Sequence, residues 1–147
     1  MNYSGNGSAK KNVILDTNVI YSALYKPEGV CGRIILGGTS PLVKLYSIDF
    51  AKEELRTNLD LKMRLSKEQI DLIISSLPLE WIPREIYSRL LRKAMGIVRD
   101  QQDSPFVAAS MTTEFPLVTG DRHLLTPQVH RAIRVYKPSE FAKTLAD

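Results

Sequence analysis

The sequence predicts an α/β fold: a three-layer α/β/α sandwich in which helices cover both faces of a mainly parallel five-stranded sheet. Short apolar runs of strand length alternate with longer segments in which apolar residues recur at helical spacing. This alternation is typical of a parallel sheet with helices packed on it. The length of 147 residues suits one domain. We expect residues 1–11 to form a flexible N-terminal tail and residues 12–147 to form the single domain.

The first half of the chain supplies two predicted strands and four predicted helices. Residues 12–16, Asn-Val-Ile-Leu-Asp, form a nearly continuous apolar run, as in a buried strand of a parallel sheet. Ser66 and Gln69 form a capping box ahead of an apolar helical stripe. The other predicted elements are helices over 17–25 and 30–36, a strand over 42–46, and a helix from 47 or 49 to about 59.

The second half supplies three predicted strands and three predicted helices. A strand at Trp81 and Ile82 ends at Pro83. Asp103 begins a helix, because Pro105 follows it closely and proline fits the first helical turn. The remaining predicted elements are a helix over 85–95, strands over 116–119 and 133–136, and a last short helix opened by Pro138.

The composition argues against a membrane protein and against a disulfide-stabilised one. No stretch of the sequence approaches about 18 consecutive apolar residues, and the first residues lack the apolar core of a signal peptide. The single cysteine, Cys31, excludes an internal disulfide framework and fits a reducing compartment. We therefore expect a cytoplasmic protein with no membrane partner.

The charge is unevenly distributed, although the net charge is only +4. Residues 84–99 contain five basic residues and one acid, and residues 122–137 contain four basic residues and no acid. Each stretch therefore carries +4, and the rest of the chain carries −4. A basic surface beside an acidic pocket suits a polyanion held next to a metal ion. Solvated helix faces would give the same pattern, so charge alone leaves both interpretations open.

Two aspartates lie at or just beyond the ends of predicted strands. Asp16 closes the first strand, and Asp121 follows the run Leu-Val-Thr-Gly. Parallel sheets form their sites at the carboxyl ends of strands. A charged residue there is costly unless it is paired, caps a helix or binds a metal. Each aspartate could also serve only as a helix cap or turn residue, and the sequence leaves that alternative open.

Two more acids, on helices, are candidates for the same site. On a helical wheel Glu54 lies at the edge of the buried stripe, whereas Glu53 lies on the solvated face. Asp103 lies at a predicted N-cap, where one carboxylate oxygen can cap the helix while the other faces a metal. Asp100, on the preceding loop, is a secondary candidate.

Four converging carboxylates would predict a metal site. Two like charges ~5 Å apart repel by ~3 kcal/mol at an effective dielectric constant of about 20, so such groups either bind cations or raise their pKa values. Mg²⁺ and Mn²⁺ prefer oxygen ligands, and they activate water and stabilise charge on a phosphoryl group. We interpret Thr17 and Asn18 as polar supports of this arrangement.

The acidic segments resemble, in order, the motifs of the PIN domain family. The segments are Val-Ile-Leu-Asp16-Thr-Asn-Val, Lys-Glu-Glu54-Leu, Asp100-Gln-Gln-Asp103-Ser-Pro-Phe-Val-Ala-Ala and Leu-Val-Thr-Gly-Asp121-Arg-His-Leu-Leu. The resemblance spans about residues 12–141 and comes closest to the PIN toxin-like branch of prokaryotic toxin–antitoxin pairs.

This resemblance implies a metal-dependent endoribonuclease with Mg²⁺ or Mn²⁺ in an acidic cleft. It also implies RNA as substrate, an antitoxin protein as partner, and a homodimer. By motif position the acidic quartet would be Asp16, Glu54, Asp103 and Asp121, supported by Thr17, Asn18 and Thr119.

We expect the two basic stretches to hold the phosphate backbone of RNA, with an affinity that falls as salt rises. The candidate contacts are Arg89, Arg92, Lys93, Arg99 and Arg122.

Three features depart from the family pattern. Glu54 has an adjacent acid, Glu53, so its assignment could shift by one residue. Residues 84–99 carry more charge than the pattern leads us to expect. His123 stands where the branch often has another acid, which leaves open a changed metal geometry or no effect. We interpret it as a structural or rim residue and not as a catalyst.

Other functions remain open at this point. A non-catalytic RNA-binding or regulatory domain of the same fold would be favoured by an acid missing from the cleft. An aspartate-based phosphatase with Asp16 as nucleophile usually has a second acid two residues later, where this chain has Asn18. A receiver-like switch needs a lysine after a late strand, where this chain has Thr119-Gly-Asp.

Overall fold

The computed structural model describes residues 10–145, which form a sheet with helices on both faces. The five strands are β1 Lys11–Leu15, β2 Val43–Ile48, β3 Leu79–Ile82, β4 Leu117–Val118 and β5 Val135–Tyr136. They lie in the order β3-β2-β1-β4-β5, and all four neighbouring pairs are parallel. The predicted fold class is therefore confirmed, and β1 lies at the centre of the sheet.

Nine α-helices of residues 10–145 surround this sheet. They are α1 Thr17–Tyr25, α2 Val30–Gly37, α3 Asp49–Met63, α4 Lys67–Ser76, α5 Arg84–Tyr87, α6 Leu91–Met95, α7 Ser104–Thr113, α8 Pro127–Ala132 and α9 Pro138–Leu145. Three short 3₁₀ helices cover Ser88–Leu90, Gln101–Asp103 and Arg122–Leu124.

The core forms two layers because side chains alternate along the central strand. Ile14 of β1 packs into a cluster covered mainly by α5, α6, α7 and α8. Val13 and Leu15 point the other way, into a cluster covered by α1, α2, α3, α4 and α9. All three side chains are at most 1% exposed, and burial of each contributes about 1.5–3 kcal/mol. The apolar run that marked β1 in the sequence is thus buried on both faces.

Helix α4 begins at the predicted capping box. The Gln69 backbone N–H donates to Ser66 Oγ at 3.2 Å, and the Ser66 backbone N–H donates to Gln69 Oε1 at 2.9 Å. Helix α3 extends to Met63, beyond the predicted end near residue 59, because Met63 continues the apolar stripe of Leu59 into the core. It ends where Arg64 takes a left-handed conformation with φ 52°.

The helix predicted over residues 85–95 is interrupted in the structure. Residues 84–87 and 91–95 are α-helical, and a 3₁₀ turn joins them. The first piece is anchored to α3, because the Tyr87 hydroxyl and the Arg84 backbone N–H both donate to the Asp49 carboxylate. That anchor depends on a contact between distant residues, which the local pattern of apolar residues does not contain.

Helix α8 is absent from the sequence predictions. It has only six residues, too few for a clear apolar period, but it carries two start signals. Thr126 Oγ1 accepts a hydrogen bond from the Val129 backbone N–H at 3.3 Å, and Pro127 occupies the first helical turn.

The predicted tail overlaps the first strand by one residue, since β1 begins with the pair Lys11–Val43. The remainder of that prediction, over residues 1–9, lies outside the described residues. Cys31 is half-buried, and burial raises the pKa of its thiol, which does not favour a reactive thiolate. Along residues 10–145, no helix combines the length and apolar character needed to cross a membrane.

Candidate metal centre

The central strands β1 and β4 place two aspartates at the same edge of the sheet. Asp16 follows β1 directly, and Asp121 lies three residues beyond β4. The two strands are parallel neighbours, with Leu15 paired to Val118, so their carboxyl ends coincide. The strand order therefore brings together two acids that the sequence placed at separate strand ends.

These aspartates open onto a cavity of ≈ 130 Å³. All four acids of the expected quartet line it. The complete lining is Asp16, Thr17, Asn18, Glu54, Asn58, Asp100, Gln102, Asp103, Phe106 and Asp121. A space of this size with a polar lining suits a cation with part of its water shell.

A threonine hydroxyl joins the two strand-end aspartates. Thr119 Oγ1 donates to Asp16 Oδ2 at 2.7 Å and accepts from the Asp121 backbone N–H at 3.0 Å. Thr119 and Asp16 are both buried. This short chain of hydrogen bonds fixes one oxygen of Asp16 and the backbone that carries Asp121.

Helix α3 contributes Glu54 to the lining of the cavity. Thr17 Oγ1 donates to Glu54 Oε1 at 2.6 Å, which orients the carboxylate toward the start of α1. Burial raises the pKa of Glu54, the Thr17 hydrogen bond lowers it, and repulsion from Asp100 raises it. Glu53, the adjacent acid, is exposed and does not line the cavity.

Asp103 lies at the N-cap position of α7, with its side chain only 8% exposed. Within the described part of the chain its carboxylate makes no cap bond to α7, and its Oδ2 has no hydrogen-bond partner. A buried carboxylate oxygen without a partner is unfavourable by about 1–3 kcal/mol or more. A cation in the cavity would satisfy this oxygen, so the residues present fit a divalent metal.

Burial raises the pKa of two carboxyl groups strongly. It raises that of Asp16 to about 6, against the lowering effect of the Thr119 hydrogen bond, with smaller contributions from Glu54 and Asp121. It raises that of Asp103 to about 7, followed by repulsion from Asp121 and Asp16. A divalent cation among these groups would oppose both causes, because it favours the charged form of each carboxyl.

Asp100 lies at the rim of the cavity and is exposed. Its Oδ1 accepts from the Gln102 backbone N–H at 3.0 Å, which caps the 3₁₀ helix that precedes α7. Asp121 caps the 3₁₀ helix Arg122–Leu124 in the same way, since its Oδ1 accepts from the His123 backbone N–H at 2.9 Å. Both rim loops are thus held by a carboxylate that also faces the cavity.

Three lining residues were not predicted as site residues. Asn58 lies one helical turn after Glu54 on α3, so the i,i+4 spacing carried a signal for it. Phe106 is 1% exposed and closes the cavity toward the core. Gln102 reaches the cavity through the turn that Asp100 caps, which no local pattern predicts. Asn18, predicted as a support, lines the cavity and is exposed.

The predicted RNA contacts all lie on the surface. They are Arg89, Arg92, Lys93, Arg99 and Arg122, each exposed. Arg122 and Lys137 line an open groove of ≈ 910 Å³ that also reaches Gly120, next to Asp121 of the cavity.

Comparison with known proteins identifies the fold family. A family model described as the PIN domain matches residues 14–137. This chain belongs to the PIN domain family. A relative of this PIN domain is the uncharacterized protein MJ1680 of Methanocaldococcus jannaschii, which is 28% identical over 126 residues, 80% of this chain and 75% of the relative.

Solved structures share the fold of this PIN domain at low identity. One is VapBC2 from Rickettsia felis bound to a DNA fragment from their promoter, with a TM-score of 0.61 and 17% identity over 86% of this chain and 98% of that chain. Another is FitAcB from Neisseria gonorrhoeae, with a TM-score of 0.55 and 20% identity over 86% of this chain and 98% of that chain. The expected resemblance to the PIN family is confirmed.

Proposed function

We propose that this PIN domain is a metal-dependent endoribonuclease that hydrolyses RNA phosphodiester bonds as the toxin of a toxin–antitoxin pair. The observation that carries the proposal is the meeting of Asp16, Glu54, Asp103 and Asp121 at one cavity, with a buried Asp103 oxygen that lacks a partner among the described residues. PIN domains are typically nucleases, and this arrangement of acids supports that activity here.

Mg²⁺ or Mn²⁺ would be held by the four carboxylates of the quartet. When bound, such an ion supplies an activated water for attack on phosphorus and offsets charge on the phosphoryl oxygens and the leaving group. The protein holds the carboxylates ready for it. Thr119 fixes one oxygen of Asp16, and Thr17 fixes one oxygen of Glu54.

The residues around the cavity exclude water and so strengthen the electrostatic interactions within it. Phe106 closes it on the core side, and Asp16 and Asp103 are both buried. Charges interact more strongly where water is excluded, so a phosphate drawn into the opening would meet a preorganised centre. Arg122 is exposed and lines the groove that reaches Gly120, which supports a role for it in holding the adjoining backbone phosphates.

The proposed partners rest on resemblance. The VapBC2 structure that shares this fold is bound to a DNA fragment from their promoter, which supports an antitoxin protein as partner of this chain. A homodimer and RNA as substrate are part of the same proposal.

The alternative, a non-catalytic RNA-binding or regulatory PIN domain, would be favoured by an acid missing from the cavity. All four acids line it. No acid of the quartet is missing from the cavity, so this alternative has no support from the lining residues.

The direct test is cleavage of an end-labelled RNA pool by the purified protein with Mn²⁺, with Mg²⁺ and with EDTA. We expect products with either metal and none with EDTA. Asp103→Asn should lower the rate by roughly 100-fold or more, the scale on which an electrostatic group of a reacting site acts. Asp60→Asn, at an exposed acid of α3, is the control and should cleave like the wild type.

Equal cleavage by the wild type and Asp103→Asn would point to a contaminating nuclease or a wrong site. RNA binding without cleavage under any metal condition would overturn the catalytic proposal in favour of the non-catalytic domain.

A further inference from the structure

A histidine lies beside two of the aspartates at the rim of the cavity. One ring nitrogen of His123 and one carboxylate oxygen each from Asp100 and Asp103 all lie within 4.8 Å of one another. The side chain of His123 is 57% exposed, so the ring is accessible from solvent. The three groups come from two loops, and they form a cluster distinct in composition from the all-carboxylate quartet.

The two loops hold these groups in defined positions. Asp103 ends one 3₁₀ helix and His123 lies within another. The carboxylate of Asp100 accepts from the first helix, and the carboxylate of Asp121 accepts from the second through the His123 backbone N–H. The approach of the histidine to the aspartates is therefore set by hydrogen bonds at both loop starts.

The unpartnered oxygen of Asp103, which also lines the quartet cavity, indicates that a ligand belongs beside this cluster. Asp103 is 8% exposed, it lines the cavity, and its Oδ2 has no hydrogen-bond partner anywhere in residues 10–145. A buried oxygen acceptor of this kind needs a donor or a cation. Because Asp103 belongs both to the quartet and to the histidine cluster, a second cation beside it would share this carboxylate.

The ligand atoms indicate which cations fit. Mg²⁺ prefers oxygen ligands and keeps most of its waters. Imidazole nitrogen suits transition metals, and Mn²⁺ accepts oxygen-rich sites as well. A site with two carboxylates and one imidazole would therefore favour Mn²⁺, or a later transition ion, over Mg²⁺.

We propose that Asp100, Asp103 and His123 form a second cation site, in which His123 is a metal ligand that makes the centre selective for transition metals over Mg²⁺. The proposal rests on the proposed function in one respect, since it takes the quartet to be a metal site that shares Asp103. It makes His123, interpreted from the sequence as a structural or rim residue, a ligand of the metal.

The test is pulsed electron paramagnetic resonance of the metal-free protein loaded with excess Mn²⁺ in a nitrogen-free buffer, after removal of any histidine tag. This measurement detects coupling between bound Mn²⁺ and an imidazole nitrogen without requiring activity. The chain offers a matched control because it has only two histidines, His123 and His130. We expect imidazole coupling in the wild type and in His130→Asn, and its loss in His123→Asn.

Metal affinity gives a second readout. His123→Asn should weaken Mn²⁺ binding at the second site by about tenfold or more, on the scale of changes in residues around a metal. His123→Asp should recover Mn²⁺ binding through an oxygen ligand, without imidazole coupling, and should bind Mg²⁺ better than the wild type. This rescue separates a ligand from a residue that only supports the loop.

The outcomes distinguish this inference from the proposed function. Bound Mn²⁺ without imidazole coupling in the wild type, or coupling that persists in His123→Asn, would overturn the histidine site and leave the quartet nuclease standing. A wild type that binds no Mn²⁺ at all would overturn both.

Discussion

At the scale of single residues, the Thr119 hydroxyl is hydrogen-bonded to two of the aspartates that line the cavity, Asp16 and Asp121. It donates to Asp16 Oδ2 and accepts from the Asp121 backbone N–H. One oxygen atom therefore orients a carboxylate on β1 and the loop that carries a carboxylate after β4. Its removal should affect metal binding through both neighbours at once.

Thr119→Val should weaken Mn²⁺ binding by about 10–100-fold, since hydrogen bonds to metal ligands contribute on that scale. The variant should also unfold more easily by about 1–3 kcal/mol, because a hydrogen bond is lost and the Asp121 N–H is left without its acceptor. Calorimetric titration with Mn²⁺ and urea unfolding measure the two effects.

Thr113→Val is the matched control for this variant. Thr113 is buried, and its hydroxyl also both donates, to the Ala109 carbonyl, and accepts, from the Phe115 backbone N–H. We expect a similar loss of stability with unchanged Mn²⁺ affinity. Equal loss of metal affinity in the two variants would show that the Thr119 effect is only structural.

The raised pKa of Asp103 makes the stability of the metal-free protein depend on pH. The folded protein holds a proton on Asp103 up to about pH 7, whereas the unfolded chain releases it near the ordinary value of 3.8. The folded state therefore binds more protons between these values, and stability falls as pH rises through this range. The loss amounts to at most about 4 kcal/mol, since a tenfold change in proton affinity corresponds to about 1.4 kcal/mol.

Asp103→Asn should remove most of this dependence. In the presence of EDTA, the wild type should be less stable to urea near pH 8 than near pH 5, and the variant should show a smaller difference. Excess Mn²⁺ should stabilise the wild type more near pH 8, where the carboxylates are charged. A wild type that is as stable near pH 8 as near pH 5 without metal would contradict the raised pKa.

At the scale of secondary structure, one face of α3 decides which of two adjacent glutamates serves the cavity. Glu54 accepts from Thr17, whereas Glu53 points to solvent. Glu54→Gln should lower the rate of RNA cleavage by roughly 100-fold, and Glu53→Gln should leave it near the wild-type value. Cleavage rates of the two variants under identical metal conditions test this. The opposite ranking would mean that the helix presents the other face.

The elements that the sequence predicted well are those whose signals are local. The apolar run before Asp16 and the capping box at Ser66 each determine an element through neighbours in the chain, and both are present. The break between α5 and α6 was missed because it accompanies the contact of Tyr87 with Asp49, 38 positions away. Short α8 was missed because six residues give too little periodicity.

The same distinction applies to the site. Two strand ends, one helical wheel and one helix start were enough to indicate four acids that the structure places around one cavity. Their catalytic roles stay predictions. The approach of His123 to Asp100 and Asp103 was not predictable, because it depends on how two loops from separate parts of the chain face each other. The Asp103 side chain was expected to share its oxygens between cap and metal, but it makes no cap bond within residues 10–145.

At the scale of the whole molecule, the separation of charge predicts how RNA binding responds to salt. An acidic cavity opens beside a groove that carries Arg122 and Lys137. Affinity for single-stranded RNA, measured by fluorescence anisotropy in EDTA so that no cleavage occurs, should fall linearly with the logarithm of salt concentration. Arg122→Ala should weaken binding and reduce that slope by roughly 0.7, the value for one phosphate contact to a single strand.

Arg56→Ala is the control for the salt experiment. Arg56 is bound to Asp71 at 2.6 Å on the surface formed by α3 and α4, outside both basic stretches. The variant should bind RNA with the affinity and the salt slope of the wild type. An equal change of slope in both variants would mean that net charge, and not the groove, governs binding.

The bond between Thr119 and Asp16 joins residues that are 103 positions apart. A growing polypeptide emerges from the ribosome with its N-terminal part first, so Asp16 and Glu54 are made long before β4 and Asp121 exist. If the cavity cuts RNA, a nascent chain that has not yet reached Asp121 cannot do so. During each round of translation, the messenger that encodes the protein is then exposed to cleavage by the nascent chain only after the codon of Asp121 has been translated.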